Sequence, residues 1–401
     1  MKRKIKRGCY AIALLGIFSS GIAQNTYKED FLYLWEEVAA NYAYFDTQKV
    51  SWSDVKAHYG KAVDTVSHPY YFTLFLEQVL LELHDNHTHL RTNTPESFRL
   101  IPSGTDLWVT MDEEKYVIAE VRMGSKAESI VRAGDEILRV NGVPVHEAIN
   151  NFIGKFVTGE AARLHGANLM MAGDYRKERV VQLRRDGQIL EVNLGVCEYP
   201  VNEERLLSYE IMEGDIGYIR IENSLGNSAL ISEFDQAMDA MKGTKALILD
   251  LRNTPSGGDS SVGIPLLGRF VDAPKPYQRH ERVSEERSWV EEVAPRGSFY
   301  DRPVYVLVNH WTGSMGEGIT IGLDSFGNGT VIGTAMAGLL GANYTIQLPN
   351  AGYKVNITFE KLFHVDGTPR ELFRPAHLID IPKLKQEGDA FIQKALELIK
   401  N

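Results

Sequence analysis

The sequence predicts an α/β (α+β multidomain) protein, and three changes of texture along its 401 residues lead there. Apolar side chains recur at helical spacing over residues 25–95, short β-rich runs fill 104–200, and strands alternate with helical stretches over 210–400. Alternation of the last kind implies a largely parallel layered sheet, with ligands beyond the carboxyl ends of its strands. The chain is long enough for two or three domains. An apolar content of 44% and a charged content of 24% are those of an ordinary globular protein.

In chain order, Lys2, Arg3, Lys4, Lys6 and Arg7 form a basic head, Ala11 to Phe18 an apolar stretch, and Gly21-Ile22-Ala23 a small-residue cleavage site. Residues 1–23 therefore read as a secretory signal peptide, too short in its apolar part to be a stable membrane span, with Gln24 as the expected mature start. An uncleaved anchor is the alternative. Removing the segment leaves 38 Lys+Arg against 53 Asp+Glu, a net charge near −15. No basic run survives, which argues against nucleic acid as a partner. Cys9 lacks the small and aliphatic residues expected before a lipidated cysteine, and after its loss Cys197 stands alone, so no internal disulfide is expected. Export without a disulfide fits a bacterial periplasm or cell envelope.

Phe31, Leu34, Trp35, Val38 and Tyr42 predict one helix, and Phe72, Phe75, Leu76, Val79, Leu80 and Leu83 another. The second runs into His84-Asp85-Asn86-His87-Thr88-His89. Residues 107–111, 116–121, 137–140, 179–183 and 189–194 read as strands, with Arg185-Asp186-Gly187 as a hairpin turn. Between them, Gly124 to Gly142 orders a short helix, Ala133-Gly134-Asp135, a strand and Asn141-Gly142 in a way that resembles the PDZ domain signature. That resemblance implies binding of an extended peptide at a sheet edge; a generic small β-domain is the alternative. Residues 216–221, 246–251, 304–308 and 330–333 read as strands of the last domain, and 230–241 as a helix. The acidic, Arg-dotted stretch 279–296 lacks periodicity and reads as a surface loop.

Two loops follow apolar strands: Asp250 to Gly258 and Thr312-Gly313-Ser314-Met315-Gly316-Glu317. A serine after a buried strand and a Thr/Gly turn, where a helix begins, stands among backbone N–H groups that favour negative charge. A serine nucleophile needs that setting. The same residues would also serve as a plain helix cap.

The ordered set of the 83–88 segment, the PDZ-like stretch, Asp250–Gly258 and Thr312–Glu317 with Gly333 downstream resembles the carboxy-terminal-processing and tricorn-core family of serine peptidases over essentially the whole mature chain. The resemblance implies a helical N-terminal domain at 25–95, a PDZ domain at 104–200 and a crotonase-like α/β peptidase core at 210–400. It implies Ser314 as nucleophile and an oxyanion hole from the backbone N–H of Met315 and of Gly257 or Gly258. In the processing branch a lysine base lies twenty-five positions after the serine; in this register Leu339 occupies that position, and nothing recommends Lys354 or Lys361 instead. The tricorn-like branch uses a histidine, and His87 takes its place, preceded by Asn86 rather than serine. Glu371 is the candidate for the family's carboxylate and Glu360 the reserve; an unpaired surface glutamate is the alternative for either. His84, Asp85, His87 and His89 also raise a Zn²⁺ site, but no regular element presents them together, so no metal and no cofactor is expected. Solvated histidines are the remaining alternative. The function implied is an exported serine endopeptidase acting on a protein or peptide, taken as an extended chain or through its C-terminus; the alternative is a non-catalytic peptide- or ligand-binding member on the same fold.

Overall fold

The computed structural model describes residues 11–199, 205–381 and 388–400, with side chains from residue 26 onward. The basic head of the expected signal peptide lies outside the described residues, and the expected mature start at Gln24 falls within a helix spanning Ala11–Asn41. Among the described residues no helix is long and apolar enough to cross a membrane.

The N-terminal helices Ala11–Asn41, Trp52–Ala62 and Pro69–Leu81 pack through one apolar cluster that includes Phe31, Leu34, Val38, Val55, Phe72 and Leu76. Their stripes at helical spacing bury together because none could be dehydrated alone. The same cluster takes in Val355 and Ile357 of the long strand Lys354–Phe363. That strand belongs to a five-stranded sheet with His89–Leu90, Ala342–Gln347, Lys275–Arg282 and Arg287–Val293. The last two form an antiparallel hairpin, so the expected loop at 279–296 is corrected. Its charges hid the strands, yet two of them are paired within the sheet: His280 lies between Glu291 and Glu360, and Arg282 pairs with Glu360.

Residues 107–193 supply a second sheet of six strands, closed by the hairpin around Asp186 and Gly187. The helix Glu160–Ala172 crosses it, an element that the β-rich texture did not suggest. Ala161, Ala162, Leu164, Ala167 and Leu169 are good helix formers, and Ala167, Met170 and Met171 bury against Leu107, Val109 and Ile118.

The third sheet positions the site. Its strands run in the order His377–Leu378, Gly329–Gly333, Val304–Val308, Ala246–Asp250, Ile216–Ile221 and Leu207–Met212, all parallel except the last pair. Ala246–Asp250 is buried at every residue because helices cover both faces of a parallel sheet. Strands 246–250 and 304–308 are neighbours, so the loops leaving their carboxyl ends emerge side by side.

Candidate active site

Thr254 and Thr312 bridge the two loops in parallel, Gly313 N–H donates to the Thr254 carbonyl at 3.2 Å, and Thr312 Oγ1 donates to the Leu251 carbonyl at 3.0 Å. The chain then turns abruptly. Ser314 has φ 51° and ψ −109°, a conformation that side-chain-bearing residues avoid and that costs about 1–3 kcal/mol. Helix Met315–Phe326 starts directly after it. Such a strained strand-to-helix turn pushes a serine hydroxyl out of the sheet edge.

The turn is locked by Glu317, a residue to which the sequence reading assigned no role. Its fully buried carboxylate accepts Ser314 N–H at 2.8 Å and Gly338 N–H at 2.9 Å. The spacing Ser-x-x-Glu before an apolar helix is a capping-box signal, and it was legible. Burial pushes the Glu317 carboxyl up to about 7, against the pull of Arg370 and the two amides.

Gly257 and Gly258 face the serine from the other loop. Gly257 has φ 62°, and a Cβ on it would lie 2.3 Å from Ser314 Cβ. Its N–H donates to the Thr254 carbonyl at 3.0 Å, whereas Gly258 N–H has no hydrogen-bond partner among the described residues. Met315 N–H, at the first position of its helix, is likewise without a partner among the described residues. Of the glycine pair, Gly258 therefore has the amide available to a ligand. A side chain on Gly258 would strike the Leu225 carbonyl at 2.1 Å.

His87 comes from the N-terminal segment. Asp85 shapes its turn: one carboxylate oxygen accepts His87 N–H at 2.8 Å, and the other accepts the hydroxyls of Thr88 at 2.7 Å and Thr358 at 2.6 Å. The turn is thereby pinned to strand Lys354–Phe363. His87 Nδ1 lies 2.7 Å from the Leu340 carbonyl. A carbonyl only accepts, so Nδ1 carries the proton and Nε2 is the basic nitrogen. Burial, reinforced by Arg370, lowers the imidazole to about 3, so it is neutral at ordinary pH. Among the described residues no hydrogen bond joins His87 to the Ser314 hydroxyl; such contacts are often long in an unliganded site and tighten with substrate.

Residues 338–341 connect the two centres. Gly338 N–H reaches Glu317, the Leu339 side chain lies 3.3 Å from where a Cβ of Gly313 would be, and Leu340 holds His87. At the position of the processing branch's lysine there is a buried leucine against the serine turn. Glu371 lies on the neighbouring 370–372 turn with Oε2 buried and without a partner among the described residues, and burial raises its carboxyl. It does not hold His87; the Leu340 carbonyl does, a role that side-chain motifs could not reveal. Glu360 is not a surface glutamate either. It is buried, bonded to His280, Tyr344 and Arg282, and held down at about 2, with burial opposing those partners.

The remaining histidines go elsewhere. The His84 ring lies 5.8 Å from that of His165, and His89 Nε2 lies 3.5 Å from Asn356. Among the described residues no three His, Cys, Asp or Glu side chains are placed to hold a metal ion.

The mixed α/β fold with a serine turn at the strand ends is matched by proteins of known fold. Residues 215–372 match the model of peptidase family S41, and residues 23–80 match that of the tricorn protease C1 domain. The chain is 26% identical over 259 residues to the carboxy-terminal processing protease CtpA of Bacillus subtilis (strain 168), covering 64% of this chain and 51% of that one. The chain thus spans about half the length of the curated relative it matches. Mature CPAF is similar in fold, with a TM-score of 0.64 at 17% identity, over 94% of this chain and 97% of that one. So is the photosystem II D1 C-terminal processing protease, with a TM-score of 0.59 at 19% identity, over 92% and 97%.

Proposed function

We propose that this chain is an exported serine endopeptidase. Ser314 attacks a peptide carbonyl. His87 takes the hydroxyl proton on Nε2 and returns it to the leaving amine, and the N–H groups of Met315 and Gly258 hold the oxyanion. Gly257 leaves room for the nucleophile, and Glu371, which faces Arg370 and Asp85, is the candidate for the supporting carboxylate. The observation that carries this reading is the strained Ser314 turn flanked by two amides without a hydrogen-bond partner among the described residues. With Leu339 in the lysine position, histidine is the base that the site can offer.

In this reading residues 25–95 form the helical N-terminal domain, 104–200 a PDZ-like domain that takes an extended peptide, and 210–400 a crotonase-like core. The processing proteases named above support a protein substrate presented through its C-terminus. The basic head, apolar stretch and small-residue site before Gln24 support export to a periplasm or cell envelope.

A fluorophosphonate probe tests the chemistry. Wild type is expected to label and Ser314→Ala to lose the label. Absence of wild-type labelling throughout about pH 6 to 9, where a histidine base is available, would overturn the reading in favour of a binding protein.

A further inference from the structure

Beside the groups that would touch substrate lies a buried ion pair to which the reaction assigns nothing. Arg370 is 3% exposed and Glu317 is fully buried, and Arg370 Nη2 stands 3.8 Å from Glu317 Oε2. That same Nη2 donates to the Leu339 carbonyl at 3.0 Å and to the Gly341 carbonyl at 2.7 Å. Between those two carbonyls is Leu340, whose own carbonyl fixes His87. Glu317 in turn holds the backbone of Ser314 and, through Gly338, the start of the same 338–341 segment. One carboxylate and one guanidinium therefore touch the backbone on both sides of the reaction centre.

We propose that Glu317 and Arg370 are a positioning pair that ties the strained Ser314 turn to the tautomer of His87, so that nucleophile and base are set by a single buried clamp. The inference rests on the serine-peptidase reading for its consequence in rate, but not for its geometry. A buried charge without its partner is strongly destabilising, so two such groups keep a fixed separation that a surface pair would not. Both carbonyls are reached by the two N–H groups of Nη2, whose directions the planar guanidinium fixes; a lysine ammonium has the charge but rotates about its stem. Among the described residues, Glu371 and Arg370 are charged groups facing Glu317, and Glu371, His87, Tyr44 and Tyr277 face Arg370. Protonating Glu317 removes the charge that Arg370 balances and weakens its hold on both amides.

Two measurements test this. In ¹⁵N spectra of histidine-labelled protein, with His87→Gln identifying the resonance, the wild-type His87 imidazole is expected as a single Nδ1–H tautomer. Glu317→Gln and Arg370→Lys are expected to give a tautomer mixture while the far-ultraviolet circular dichroism is unchanged. In fluorophosphonate labelling, the wild-type rate is expected to rise with pH around about 7, and Glu317→Gln to be slower by about tenfold or more and flat across that range. A single unchanged tautomer in both variants overturns the clamp, and so does a wild-type rate and pH profile in Glu317→Gln. If wild type does not label but the tautomer shifts in the variants, the peptidase reading fails and the clamp stands.

Discussion

A Cβ added at Gly257 would fall 2.3 Å from Ser314 Cβ and 2.9 Å from its Oγ, at a residue that already has φ 62°. Neither the locked serine turn nor the loop stitched to it by Thr254 can yield. Gly257→Ala is therefore expected to slow fluorophosphonate labelling by about a hundredfold or more without loss of helical circular dichroism; labelling at the wild-type rate would show that the loop relaxes. His87 makes a second prediction, in stability. Its pKa is about 3 in the folded protein and about 6.5 unfolded, so the unfolded state binds more protons between those values. Its contribution is complete above about 6.5 and is lost as pH falls toward 3. Relative to His87→Gln, wild type should lose about 2 kcal/mol between pH 6.5 and 5, measured by urea unfolding at each pH. Ser314 and His87 were singled out by ordered motifs and the family resemblance that they carry. Leu340 could not be found that way, because a carbonyl is common to every residue and only its position makes it a partner.

At the scale of elements, the turn 85–88 is a small structure with a large consequence. Asp85 accepts one backbone N–H and two hydroxyls inside the protein, joining the N-terminal segment to strand Lys354–Phe363. Asp85→Ala leaves those donors buried and unpaired, which should cost about 3 kcal/mol or more and release His87. Urea unfolding together with the labelling rate checks both consequences, and a change in only one would separate structure from positioning. The hairpin 275–293 and the helix Glu160–Ala172 mark where local reading stopped. In the hairpin, Arg279, Glu281, Glu285, Glu286 and Arg287 suggested solvent, yet its buried charges are neutralised by Glu360, a residue far along the chain. In the helix, good formers such as Ala161, Ala162 and Leu164 stand between β-rich runs that mask them in the sequence.

Across the whole molecule, the second sheet reaches into both site loops. Glu120 accepts Asn309 Nδ2–H at 2.8 Å and meets His310 Nδ1 at 2.6 Å, while His310 stacks on Trp108 with centroids 4.8 Å apart. Two residues on, Arg122 donates to Asn253 Oδ1 at 3.2 Å in the loop that carries Gly257 and Gly258. Glu120→Ala should accordingly speed hydrogen exchange at residues 309–314 and leave strand 246–250 unaltered, read by mass spectrometry of peptic fragments. Unchanged exchange at 309–314 would mean that the core alone holds the turn. The succession of helical, β-rich and alternating segments, the serine turn after an apolar strand, and the absence of a lysine at Leu339 were all determined by the sequence itself, because each depends on neighbouring residues or on a fixed spacing. Tertiary structure alone decided that Gly258 rather than Gly257 has the free amide, that a carbonyl orients His87, and that Glu317 and Arg370 span the site. Those outcomes depend on hydrogen bonds between segments tens to hundreds of residues apart, and a linear pattern does not record which of several chemically able groups the fold will bring within bonding distance.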